Sequence, residues 1–166
     1  SIFGNFDGYV KALEIANKSR RVVTPTGVRK DELSPDDLVL LRPDHDPRAA
    51  RSASGLAPTS DLAIHLAIHA VRPDIVAVAH AHLPASMALT LAGEVPDPSA
   101  LPETAFHLPR LPFVPFAPMG SDELAARIAA ALTEPPDPLP HAVLLERHGA
   151  VAVGNSPDHA VDRLEL

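Results

Sequence analysis

The stretch Ile75-Val76-Ala77-Val78-Ala79-His80-Ala81-His82 decides how this chain is read. Its apolar residues run without a break, as in a strand buried on both faces, and it ends in two imidazoles. Alternation along a strand puts Val76, Val78, His80 and His82 on one face, with the two rings a pleat repeat apart. Two neutral imidazoles so placed can converge on one metal ion at about 2.0–2.1 Å each. They can equally be core histidines bonded to backbone carbonyls, because a buried polar ring needs a partner of some kind. The local pattern leaves both readings open. Immediately upstream, Ala57-Pro58-Thr59-Ser60-Asp61 starts a helix, with Ser60 suited to the N-cap and Asp61 to the first turn. Val71-Arg72-Pro73-Asp74 turns that helix into the strand.

The rest of the chain sets limits. At 166 residues there is enough sequence for one domain with a substantial core. Hydrophobic residues at 46% and charged residues at 21% are the proportions of a globular protein in water. A net charge of −7 argues against a general nucleic-acid partner, whose phosphates require a basic face. With no cysteine, disulfide frameworks and thiolate chemistry are excluded. The apolar runs are too short for a membrane span and no secretory signal is visible, so a cytoplasmic enzyme or binding domain without membrane contact is expected. The chain begins with Ser1 and stops at Leu166 inside a helix-like pattern, so residues are expected to be missing at both ends.

Gly4-Asn5 reads as a loop whose backbone can approach a ligand or simply turn, and Tyr9 to Ser19 as a helix or a strand. Arg21 to Thr24 and Leu38 to Leu41 are short strands, separated by the Pro25-Thr26-Gly27 turn and a one-turn helix start at Ser34-Pro35-Asp36-Asp37. Arg42 to Gly55 is a polar loop. The helix that follows, to about Val71, carries His65 and His69 one turn apart, either ordinary hydrogen-bonding residues or a second metal pair. Pro84 to Ala92 is a helix, and Val95 to Pro112 a long proline-studded loop holding Glu103 and His107. A strand at Pro112–Phe116, a helix from Ser121 to Leu132, strands at Ala142–Leu145 and Val151–Val153, and a helix capped by Ser156-Pro157 complete the order. Helices and short strands interleave throughout, which predicts an α/β or α+β layered single domain.

Six separated pieces, Thr24-Pro-Thr-Gly27, Pro58-Thr-Ser-Asp61, Arg72-Pro-Asp74, His80-Ala-His82, Gly120-Ser121 and His148-Gly149, fall in one order that resembles the class II aldolase/adducin family. The resemblance runs from Gly4 to Arg163. It implies a single domain with a central, mostly antiparallel sheet flanked by helices. It also implies a divalent metal, zinc or else manganese or cobalt, on His80, His82 and His148. Asp61 takes the place of the acidic residue beside the metal, where fuculose-phosphate aldolase-like members carry glutamate and ribulose-phosphate 4-epimerase-like members aspartate. Asn5, Thr26, Gly27, Thr59 and Ser60 correspond to the phosphate loop, with Thr59 replacing the usual serine. Two hydroxyls at a helix N-terminus suit an anion.

What the resemblance implies for activity is an aldolase (aldehyde-lyase) that acts on a small phosphorylated keto-sugar through a metal-stabilised enediolate. A 4-epimerase, dehydratase or decarboxylase acting on a sugar phosphate or sugar acid stays open beside it, as does a metal-free, adducin-like interaction module. Three His ligands with an open position suit catalysis more than structure. Aldolase members use tyrosines as proton donors, but the only tyrosine here is Tyr9, and Phe116 stands where many relatives carry tyrosine. Glu103 therefore becomes the candidate acid–base group, with His107 as a lesser one and a solvated loop glutamate as the plain alternative. Members of the family are usually cyclic homotetramers, and that assembly is implied as well.

Overall fold

The computed structural model describes residues 21–166; the expectations for Asn5 and for Tyr9 to Ser19 lie outside them. The chain forms two compact units, Ser1–Leu62 and Ala63–Leu166.

In the first unit β1 (Arg21–Val23) pairs antiparallel with β2 (Val39–Leu41), burying Val23, Val39 and Leu41. The one-turn helix start is a 3₁₀ turn at Pro35–Asp37. Asp37 accepts from the Ser34 amide at 2.9 Å and from its hydroxyl at 2.7 Å, completing a capping box. These bonds to the ionised form hold the Asp37 carboxyl below the usual carboxylate range. Farther on, Pro25 bridges Pro58, the Thr26 amide donates to the Ala57 carbonyl at 3.1 Å and the Thr59 amide to that of Thr24 at 2.9 Å.

The second unit is built on a four-stranded sheet. Its strands are β3 (Ala77–Ala81), β4 (Phe113–Val114), β5 (Ala142–Leu145) and β6 (Gly149–Gly154), in the order β3-β6-β5-β4. The β3·β6 and β5·β6 pairs are antiparallel and β4·β5 is parallel. The helices are α1 (Leu62–Val71), α2 (Pro84–Leu91), α3 (Pro102–His107), α4 (Asp122–Ala131) and α5 (Pro157–Glu165). Period-2 alternation in the strands meets the helical stripes in one core. Ile64 and Ile68 of α1 and Leu124 and Ile128 of α4 pack with Val143, Leu145, Val151 and Val153. The opposite face of β6 is made of alanines and Gly154. A Cβ on Gly154 would come within 2.7 Å of the Ala160 amide nitrogen, so α5 lies close against that face. Buried Arg72 pins the loops to this core, donating to Asp74 in a fork at 2.8 Å and to the carbonyls of Leu132 (2.9 Å) and Pro140 (3.0 Å). The layered architecture with a mostly antiparallel sheet flanked by helices is the expected one. Ser121 and Ser156 cap their helices as read from sequence, accepting from Leu124 and His159 amides.

Two expectations need correction. The strand leading to the histidines is not buried on both faces. Among the described residues it is the sheet's edge strand, half-buried along its length, and Val76 just before it is 65% exposed. An unbroken apolar run fits an edge strand as well as a central one, because the run itself carries no information about neighbours. Val95 to Pro112 is not one long loop. Asp97 caps a 3₁₀ turn at Pro98–Ala100 by accepting from the Ser99 amide at 2.8 Å, and Pro102 begins α3. Each proline occupies a first helical position, where its missing N–H costs nothing. At the start of α1 the Thr59 Oγ1 accepts from the Asp61 amide at 3.3 Å and the Thr59 carbonyl accepts from the Leu62 amide.

Candidate metal centre

His80 lies on β3, His82 just beyond it, and His148 in the turn joining β5 to β6. Pairing in the β3·β6 ladder, where His80 faces Val151 and Ala81 faces Ala150, brings the turn alongside the end of β3. The three rings stand 4.9–5.2 Å apart between centroids, and one nitrogen from each falls within 4.8 Å of the others. Among the described residues this is the group of histidines and carboxylates that can hold an ion. Among the three ligands, His148 is buried at 5% exposure, His80 is half-buried and His82 is exposed. That combination suits a catalytic ion with a position left for substrate.

The backbone around the site is built for this approach. Gly149 has φ +129°, and a Cβ there would lie 2.2 Å from the Ala81 carbonyl oxygen and 2.9 Å from the His82 Cα. Only glycine lets the turn come this close to the strand. His80 Nδ1 stands 2.9 Å from the Ala150 carbonyl. As a donor to that carbonyl it leaves Nε2 as the lone-pair nitrogen, the tautomer a metal ligand requires. The donor set therefore fits a divalent cation.

The other candidate residues are distributed as follows. Antiparallel pairing between the Thr24–Thr26 and Ala57–Thr59 segments sets Thr26 beside Ala57 and Thr59 beside Thr24 in the first unit, with Gly27 and Ser60 next in sequence at opposite ends of the pairing. Since the Thr26 and Thr59 amides are used in that pairing, the donors offered to an anion are the hydroxyls and the remaining backbone. Asp61 follows directly at the start of α1. Glu103 sits exposed on the first turn of α3, one turn before exposed His107, and does not belong to the group of converging ligands. His65 and His69, half-buried on α1, form no second group of three or more metal ligands among the described residues.

Sequence reading missed Lys30. Its Nζ donates to the Pro25 carbonyl at 3.5 Å. Desolvation pushes the Lys30 ammonium below the usual lysine value, and the charge of Asp61 opposes that shift. A basic residue three positions past a Thr-Gly turn was the available signal. Thr90 was missed too. It is buried at the end of α2, and its hydroxyl accepts from the Arg147 amide at 3.1 Å.

Residues 4–166 match the family model described as Class II Aldolase and Adducin N-terminal domain. The chain is 26% identical over 132 residues to a 5-methylthioribulose-1-phosphate/5-deoxyribulose-1-phosphate aldolase of Escherichia coli O45:K1, covering 80% of this chain and 57% of that protein. It is 27% identical over 156 residues to an L-fuculose phosphate aldolase of Methanococcus maripaludis, covering 93% of this chain and 77% of the relative. A sugar-phosphate aldolase from Thermotoga maritima superposes with TM-score 0.70 at 26% identity, over 88% of this chain and 66% of that one. The chain thus spans little more than half the length of the first of these relatives. It is a member of the class II aldolase/adducin family.

Proposed function

We propose that the protein is a metal-dependent aldolase that cleaves a small phosphorylated keto-sugar. The observation that carries this reading is the convergence of His80, His82 and His148, the last of them buried and His82 exposed. A metal-free interaction module has no use for such a triad. The relatives named as aldolases of ketose 1-phosphates supply the substrate class. One family model running through residues 4–166 supports treating the two compact units as parts of a single domain.

Each group has a part in this scheme. The imidazoles of His80, His82 and His148 hold a divalent ion, zinc as the first choice, which when bound polarises a carbonyl oxygen as a Lewis acid. Thr26, Gly27, Thr59 and Ser60, with Asn5, bind the phosphate, whose negative charge the N-terminus of α1 favours. Retro-aldol cleavage breaks a carbon–carbon bond, so one group takes the proton of the hydroxyl that becomes the aldehyde, and a proton returns to the carbon left behind. Glu103 carries that proton from one place to the other, with no net change in its own charge. Asp61 is assigned to the substrate beside the ion, and the assembly is assigned as a homotetramer.

A second reading, a 4-epimerase, dehydratase or decarboxylase on the same scaffold, draws on one observation. Phe116, more than half exposed and stacked under the Arg147 guanidinium at 5.0 Å, stands where a tyrosine donor is expected. A phenyl ring transfers no proton. Incubating the metal-loaded protein with ketose 1-phosphates and following both aldehyde release and stereochemical change separates the two. Aldehyde release supports the aldolase; its absence together with epimerised or dehydrated product transfers the assignment to the second reading.

A further inference from the structure

The turn that delivers His148 is unusual in its backbone. Arg147, immediately before it, has φ +55°, the one positive φ at a residue other than glycine among the described residues. A left-handed arginine is strained and persists only where the surroundings fix it. Gly149, immediately after, is also left-handed and pressed against the end of β3. The His148 amide closes the turn on the Leu145 carbonyl at 3.3 Å.

What holds Arg147 is a side chain from another element. Thr90 lies on the last turn of α2 and is 5% exposed. Its Oγ1 donates to the Met87 carbonyl at 3.1 Å and accepts from the Arg147 amide at 3.1 Å. The single hydroxyl proton is therefore spent on Met87, and the lone pairs are left for Arg147. Helix α2 begins two residues after His82, at Pro84. Through this bond the element that follows two of the ligands grips the turn that presents the third. The His80–Ala150 contact at 2.9 Å fastens the turn on its other side. His148 thus stands between two polar fastenings, one on each flank.

Resting on the metal assignment above, we propose that Thr90 is a positioning residue of the metal centre. Its hydroxyl fixes the left-handed Arg147 and so sets His148 in place against His80 and His82. Partners hydrogen-bonded to a ligand govern metal affinity by about 10–100-fold, and Thr90, one residue farther out through the Arg147 amide, is placed at the lower end of that range.

The test uses the full chain and Co2+ as probe, with affinity measured by chelator competition and geometry by the visible absorption of the bound ion. Thr90→Val keeps the shape and removes the hydroxyl, whereas Thr90→Ser keeps the hydroxyl and trims the methyl group. The expected result is a loss of Co2+ affinity of about tenfold or more in Thr90→Val with an altered spectrum, and affinity within about threefold of the parent in Thr90→Ser. Parent affinity and spectrum in Thr90→Val overturn the proposal. So does equal weakening in both variants, which would mean packing and not the hydroxyl matters. Hydrogen exchange on the unmodified protein needs no variant: the Arg147 amide is expected to be protected, and fast exchange there overturns the contact even if Thr90→Val fails to fold. His80→Ala distinguishes this from the parent reading, since undiminished Co2+ binding in that variant refutes the metal site itself.

Discussion

Replacing Gly149 with alanine tests the closest approach in the molecule. Two costs follow from the geometry. A φ of +129° disfavours any side chain, at about 1–3 kcal/mol. The new Cβ would also lie 2.2 Å from the Ala81 carbonyl oxygen, and the neighbouring contacts, His82 Cα at 2.9 Å and Ala81 C at 3.0 Å, are backbone as well. No flexible side chain is available to swing aside, so the turn and the end of β3 must separate by roughly 1 Å, at an overpacking cost of about 1–3 kcal/mol. Together these give about 2–6 kcal/mol, a fall in Tm of roughly 4–24 °C for a domain of this size. The displacement falls on His82 and His148, and a shift of about that size at a site costs on the order of 100-fold in function. Calorimetry and chelator competition on the Gly149→Ala protein measure both effects. Parent Tm together with parent metal affinity would refute the claim that this contact sets the site.

Other expectations follow from the remaining groups. Glu103→Gln is expected to lower kcat by about 100-fold or more with metal content unchanged; near-parent turnover removes Glu103 from the proton transfer. Ser60→Ala and Thr59→Ala should each raise KM for a phosphorylated substrate by roughly tenfold through loss of a hydrogen bond to a charged group, and unchanged values place the phosphate elsewhere. His141, at the start of the sheet's β5, has its pKa pushed below the usual histidine value by burial first and then by the Arg163 and Arg72 charges. The His107 carbonyl and Asp74 act in the opposite direction. The unfolded chain then takes up the proton at a higher pH than the folded one. Stability is complete above the ordinary value near 6.5 and is lost as pH falls below it, so Tm should drop on acidification and His141→Gln should flatten that slope. Light scattering is expected to report a tetramer; a monomer at working concentration removes that assignment.

Particular residues show what the sequence could and could not convey. The capping serines 121 and 156 and the strand Ala142–Leu145 were legible because their signals are local: a hydroxyl before a helical stripe, and a short apolar run between turns. The three histidines are spread over two segments; the resemblance named them as one ligand set, while the β3·β6 register that brings them together is not legible in periodicity. The edge position of β3 was illegible for the same reason, since neighbours in a sheet are set by topology. The turn and helix within Val95–Pro112 were hidden because proline marks helix starts and loops alike. Lys30 and Thr90 act through contacts to backbone groups distant in space or sequence, and a lone lysine or a threonine in an apolar helix announces no such contact.

The central claim is that His80, His82 and His148 share one divalent ion. Elemental analysis of the purified protein beside its His148→Ala variant tests it most directly, because His148 is the ligand brought in from the second strand pair. About one divalent ion per chain is expected in the parent protein, and that ion is lost from a variant that keeps its fold by circular dichroism. Undiminished metal content in folded His148→Ala would contradict the account.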